Sequence, residues 1–136
     1  MANLLTKKQI QSPSGRIYAF PDARRKSMYW VVGQTQIFNY EIQGFATADI
    51  TPIEIVDLYK RMKQAHVKSL LILTVHDSIE IDVHPEEFDI IPKIVHQAFS
   101  NIEEELDRRF NFKCCVPLTF EMSMGDNWME KKEIHI

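Results

Sequence analysis

His76, Asp77 and Ser78 stand between two apolar runs in the stretch LLILTVHDSIEIDV, Leu70 to Val83. A turn between strands asks only for small polar residues such as Asn-Gly, yet this one carries an imidazole and a carboxylate. An ionised carboxylate at the end of a buried strand is unfavourable unless it is paired or binds a cation. Three chemistries fit Asp77. It can close an Asx-type turn on its own backbone, form an acid–base pair with His76, or hold a divalent metal from a rigid strand end.

Other uses of these residues fit less well. Helical metal-dependent phosphohydrolases carry a His-Asp dipeptide on a helix, whereas here it lies in strand-period sequence. A nucleophilic Ser78 assisted by His76 is equally thin, since alternating strand residues point to opposite faces. Two-metal phosphoryl transfer needs at least two carboxylates converging from different elements. Asp77 supplies one. Glu80 and Asp82 lie on the outgoing strand and Asp49 opens a helix, so the chain is one aspartate short of a complete site.

The elements that must position Asp77 belong to a chain of 136 residues, enough for one domain with its own core. A 45% apolar and 26% charged composition is that of a globular protein. No apolar run reaches the roughly 18 residues of a membrane span, no signal peptide follows Met1, and a cytoplasmic location is expected. Cys114 and Cys115 are adjacent, which disfavours a bridge between them, and the five histidines show no metal-binding spacing. The net charge of −3 gives no global nucleic-acid signature, so positive charge is local, at Lys7-Lys8 and Arg24-Arg25-Lys26.

Along the chain, Met1 to Gln11 shows no periodicity, and residues 1–13 are expected to be poorly ordered. Ser14–Phe20 reads as a strand, and Met28–Tyr40 as an imperfect helix weakened by Gly33. Gly44 then interrupts before a well-buried helix over Asp49–Ala65, with Pro52 in its first turn. The strands Ser69–Val75 and Ile79–Val83 follow, apolar on both faces and so expected to be covered on both. Regular pairing puts Leu71, Leu73, Val75, Asp77 and Ile79 on one face. Ile91, Val95, Ala98, Ile102, Leu106 and Phe110 recur at helical spacing for five turns, with a late start or kink at Pro92. Leu118–Met122 can form a last strand before the Gly125–Trp128 turn, and residues 131–136 form a tail. The order predicts an α+β unit with a mainly antiparallel sheet.

Three blocks in this order resemble the carboxy-terminal end of family A DNA polymerases, the bacterial DNA polymerase I and T-odd phage type. GRIYAFPD (Gly15–Asp22) resembles the Gly-Arg strand after the fingers. NYEIQGFATADI (Asn39–Ile50) resembles the pattern Asn-x-x-x-Gln-Gly-x-Ala-Ala-Asp-Ile. LTVHDSIEIDV with PLTFEMSMGDNW resembles the catalytic hairpin and the closing Gly-x-Asn-Trp. The likeness covers residues 14–130 and implies a partial polymerase palm, an antiparallel sheet whose catalytic β-hairpin packs on two or three helices.

On that resemblance, Asp77 is the palm aspartate that binds catalytic Mg2+, and His76 lies at the primer terminus. Asn39 and Gln43 are four apart, on one helical face, and reach the minor groove. Every correct pair offers acceptors there, so amide donors can test pair geometry without reading sequence. Arg16, Arg24 and Arg25 lie on the DNA side. Ser78 stands where the family usually has glutamate, and Thr35 where it often has a basic residue. The first palm aspartate and the fingers that hold the incoming dNTP lie upstream in the family. The expectation is therefore the small piece of a split polymerase, encoded by a phage and working in the host cytoplasm. It would be silent alone and active on primer–template DNA with a larger chain. The rival is a non-catalytic palm remnant that binds DNA or a replication protein.

Overall fold

The computed structural model describes residues 2–135. Its elements run α1 (Ala2–Lys7), β1 (Gln9–Gln11), β2 (Ile17–Ala19), α2 (Gln34–Phe45), a π-helical turn (Ala46–Ile50) and α3 (Thr51–Gln64). Then come β3 (Leu70–Val75), β4 (Ser78–Asp82), α4 (Ile91–Ser100), α5 (Ile102–Phe110), β5 (Ser123–Met124) and β6 (Lys132–Glu133). This is the expected mixture of helices and antiparallel strands, an α+β protein. Among the described residues, however, the strands form three separate two-stranded pairs, β1–β2, β3–β4 and β5–β6.

The packing that positions the β3–β4 hairpin is built on α3 and α4. Leu58 and Met62 of α3 meet Ile91, Ile94, Val95 and Ala98 of α4, and Leu71, Ile79, Ile81 and Val83 press on that cluster from the hairpin side. Helix α3 starts as its sequence predicts, with Pro52 in the first turn, where a missing N–H leaves no intrahelical bond unmade. Its buried stripe is narrower than expected: Thr51, Ile53, Leu58 and Met62 are inside, while Val56 and Tyr59 are exposed.

The hairpin is covered on one side only, contrary to the two-sided burial expected. A register shift between Leu71 and Leu73 leaves Ile72 as an extra residue, so Leu71 pairs with Ile81 but Leu73 with Glu80. Such a bulge inverts the alternation beyond it. Leu71 therefore stays against the helices, whereas Leu73 and Val75 join Leu70 and Ile72 among the exposed residues. The face proposed to contain Leu71, Leu73, Val75, Asp77 and Ile79 is split.

A buried clamp holds the base of this hairpin. Glu87, on a 3-10 turn over Pro85–Glu87, accepts hydrogen bonds from the Ser69 N–H (2.9 Å), the Ser69 hydroxyl (2.6 Å) and the Lys68 N–H (2.7 Å). Burial raises its pKa, but these bonds outweigh it and hold the carboxyl below its usual range.

Other elements depart from expectation for local reasons. The leading segment is structured: Leu4 is buried with Ala23, Val31 and Ile37, and β1 pairs with β2. Helix α2 begins only after Gly33, whose φ of 75° is left-handed, so Met28–Val32 lie outside it. Gly44 does not interrupt; the helical path runs through it and the π turn into α3. A Cβ at Gly44 would lie 2.6 Å from the Tyr18 hydroxyl, so β2 packs on α2 only because no side chain is there. The long helix is two, separated at Asn101. The strand expected at Leu118–Met122 is found instead at Ser123–Met124, and it pairs with a further strand, Lys132–Glu133, in the segment expected to be a tail.

Candidate functional site

Val75 pairs with Ser78, so His76 and Asp77 alone make the turn. His76 has a φ of 56°, a left-handed conformation uncommon outside glycine but better tolerated by histidine than by most residues. The Ser78 hydroxyl donates to the Val75 carbonyl at 3.0 Å and closes the turn. That leaves the Asp77 carboxylate exposed, with no hydrogen bond to backbone or to His76 among the described residues. Neither an Asx-type closure nor a bonded His–Asp pair is formed. Asp77 stands at the turn with its carboxylate open to solvent.

Asp77 opens on a cleft of about 910 Å3, bounded by the hairpin, by α3 and the π turn, and by the Gly125–Lys131 segment. Glu54 of α3 faces the same cleft. Burial first, and the nearby Asp77 charge second, push its carboxyl up to about 7. The sequence reading found no second carboxylate near Asp77, and Glu54 is the residue it missed. Its signal was an acid between Ile53 and Ile55, on the apolar first turns of the helix.

The cost of ionising Glu54 predicts a pH effect. Its folded pKa exceeds the unfolded value, so the folded chain holds the proton more tightly and stability falls as pH rises from about 4.5 to about 7. Glu54→Gln removes this slope. At pH 8 the variant should be the more stable in urea melts, by about 1 kcal/mol after allowing for solvent screening, and the two proteins should converge near pH 4.

The opposite wall is set by its own turn. A Cβ on Gly125 would fall 2.6 Å from the Glu130 carbonyl, so only glycine fits. The Asn127 side chain accepts from the N–H groups of Met129 (2.9 Å) and Glu130 (3.2 Å). Lys131 is thereby brought over the Trp128 ring, 5.1 Å from its centroid, and donates to both Glu80 oxygens at 3.0 and 3.2 Å. Glu80 is neutralised in place.

Asp49 is also accounted for. Nearly buried, it accepts from Arg16 Nε (3.1 Å) and the Ser12 hydroxyl (3.2 Å), while Arg16 Nη2 donates to the Ala48 carbonyl (3.0 Å). Arg16, read as a DNA contact, spends these donors on the π turn. Among the described residues no group of three or more His, Cys, Asp or Glu could hold a metal ion. Asp77 is a suitable hard oxygen ligand for magnesium, and by itself a partial one.

Helix α2 presents the amides. Asn39 and Gln43 are exposed, in line with Thr35 at four-residue spacing. Tyr40, on another face, packs edge-on to Tyr18 and Phe20, with centroids 5.4 and 5.7 Å away, which fixes the helix's rotation. Arg24 and Arg25 are exposed on the loop before α2.

Comparison with known proteins gives one consistent result. The profile of DNA polymerase family A matches residues 2–130. DNA polymerase I of Caldicellulosiruptor bescii is 37% identical over 94 residues, 69% of this chain and 10% of that protein. DNA polymerase I of Lactococcus lactis subsp. lactis is 35% identical over 125 residues, 90% of this chain and 13% of that protein. The thermostable DNA polymerase I of Thermus aquaticus is 25% identical over 126 residues, covering 91% and 14%. The chain thus spans between a tenth and a seventh of the length of these relatives.

Proposed function

The chain belongs to DNA polymerase family A, and on that premise we propose that residues 14–130 are the carboxy-terminal palm portion of a DNA-directed DNA polymerase. The observation that carries the reading is Asp77: exposed on a cleft, fixed at a two-residue turn, and bonded to no protein group among the described residues. Asp77 would serve as one ligand of the catalytic Mg2+, which when bound would activate the primer 3′ hydroxyl and stabilise the departing pyrophosphate. The remaining carboxylates come from the part of the polymerase that carries the first palm aspartate and the fingers, which also binds the dNTP. His76, beside Asp77, lies at the primer terminus.

Asn39 and Gln43 donate to minor-groove acceptors of the duplex next to that terminus, and Arg24 and Arg25 add phosphate contacts. Arg16 anchors the helix that carries the amides. The four uncovered apolar residues of β3 (Leu70, Ile72, Leu73, Val75) support a larger partner chain, because large apolar side chains concentrated on one exposed strand favour an interface.

The test is primer extension by the assembled polymerase carrying Asn39→Ala and Gln43→Ala together. Two lost hydrogen bonds should raise the KM for primer–template about tenfold, and extension of a mismatched primer end should decline less than that of a paired one. An unchanged KM with unchanged mismatch discrimination would remove the minor-groove role.

A further inference from the structure

The loop ahead of α2 carries two exposed rings, Tyr29 and Trp30, that templated synthesis at Asp77 does not use. Its base is anchored, since Ala23 and Val31 are buried with Leu4 and Ile37. From there two arms run antiparallel. The Val32 N–H donates to the Arg24 carbonyl (2.9 Å), Arg25 bridges Val31, and the Lys26 N–H donates to the Trp30 carbonyl (2.8 Å). Lys26 therefore lies opposite Trp30, with Arg25 and Arg24 following it along the same arm opposite Val31 and Val32. At the tip Tyr29 is 79% and Trp30 58% exposed, and neither ring contacts another ring or a cation among the described residues. Arg24, Arg25 and Lys26 are exposed and form no ion pair among them.

Open aromatic faces next to unpaired cations, in a chain of net charge −3, match the two features of a single strand, free base faces and phosphates. A duplex offers phosphates but keeps its base faces stacked. We propose that the Arg24–Trp30 loop is a sequence-independent binding site for unpaired nucleic acid, with bases stacked on Tyr29 and Trp30 and the backbone held by Arg24, Arg25 and Lys26. This goes beyond the polymerase reading and needs no catalysis.

The test titrates the isolated chain into a fluorescein-labelled oligothymidylate and follows anisotropy across a salt series. Tyr29→Ser with Trp30→Ser should weaken binding about tenfold or more with the thermal midpoint unchanged, since neither ring is packed. Replacing Arg24, Arg25 and Lys26 by alanine should flatten the salt dependence by about 2 in log–log slope. Asn39→Ala with Gln43→Ala should leave oligothymidylate binding intact, which separates this site from the minor-groove face. Wild-type affinity in the Tyr29/Trp30 variant would overturn the proposal. So would a wild-type chain that does not bind oligothymidylate, in which case the loop serves a protein contact.

Discussion

Asp77→Asn in the assembled polymerase is expected to lower the rate of nucleotide addition by about a thousandfold or more, a barrier increase of about 4 kcal/mol. Asparagine keeps the size and polarity of the side chain but removes the charge that a magnesium ligand must supply. The turn should survive the change, because the bond that closes it joins Ser78 to Val75 and does not involve the Asp77 carboxylate. Thermal stability and primer–template affinity should therefore stay close to wild type while kcat collapses. Ser78→Ala is the matching control. It removes the turn-closing bond but no charge, so it should reduce stability slightly and rate by much less. A large loss from Ser78→Ala and a small one from Asp77→Asn would reverse the assignment.

Leu58→Ala should produce the largest loss of stability outside the site. Leu58 is fully buried between α3, α4 and the hairpin, at 0% exposure. Truncating a leucine there loses its transfer free energy and leaves a cavity, together about 3 kcal/mol, against a total stability of about 5–15 kcal/mol. The thermal midpoint should fall by about 10 °C. Leu106→Ala offers the comparison, since Leu106 is equally buried but lies in a different cluster with Phe45, Ile53 and Ile102. Both variants should melt early. Only Leu58→Ala should also speed amide exchange across β3 and β4, because only its cluster supports the hairpin. Equal loosening of the hairpin by both would show that the two clusters unfold as one.

What the sequence disclosed was set by local signals. The β3–β4 turn was legible because two apolar runs enclose three polar residues, and the start of α3 because Pro52 fits a first turn. The amide stripe was legible from four-residue spacing. Features fixed by distant partners were not. Nothing near Ile72 marks a bulge, which exists because β3 and β4 match register at the turn and on the core together. Lys132–Glu133 became a strand only by pairing with Ser123–Met124. Leu4 alone could not signal a core contact formed with Val31 and Ile37.

The π turn was readable in part. Between Gly44 and Asp49 the chain has one residue more than the pattern Gly-x-Ala-Ala-Asp. A π turn absorbs one extra residue without ending the helix, and this one occupies Ala46–Ile50. Asp49 was legible as a helix-opening acid but not as a bonded one, because Arg16 and Ser12, which engage it, come from more than thirty positions earlier.

On the proposed function, this chain brings Asp77 to a catalytic site completed elsewhere in the polymerase. The most direct measurement titrates the purified chain into the polymerase portion that carries the fingers and the first palm aspartate, and records magnesium-dependent primer extension. Neither component alone should extend the primer, and activity should saturate at one equivalent of wild-type chain. The Asp77→Asn chain should bind the same portion and give no extension. Stoichiometric binding without extension by the wild-type chain, or extension by the larger portion that is indifferent to added chain, would contradict the proposed function.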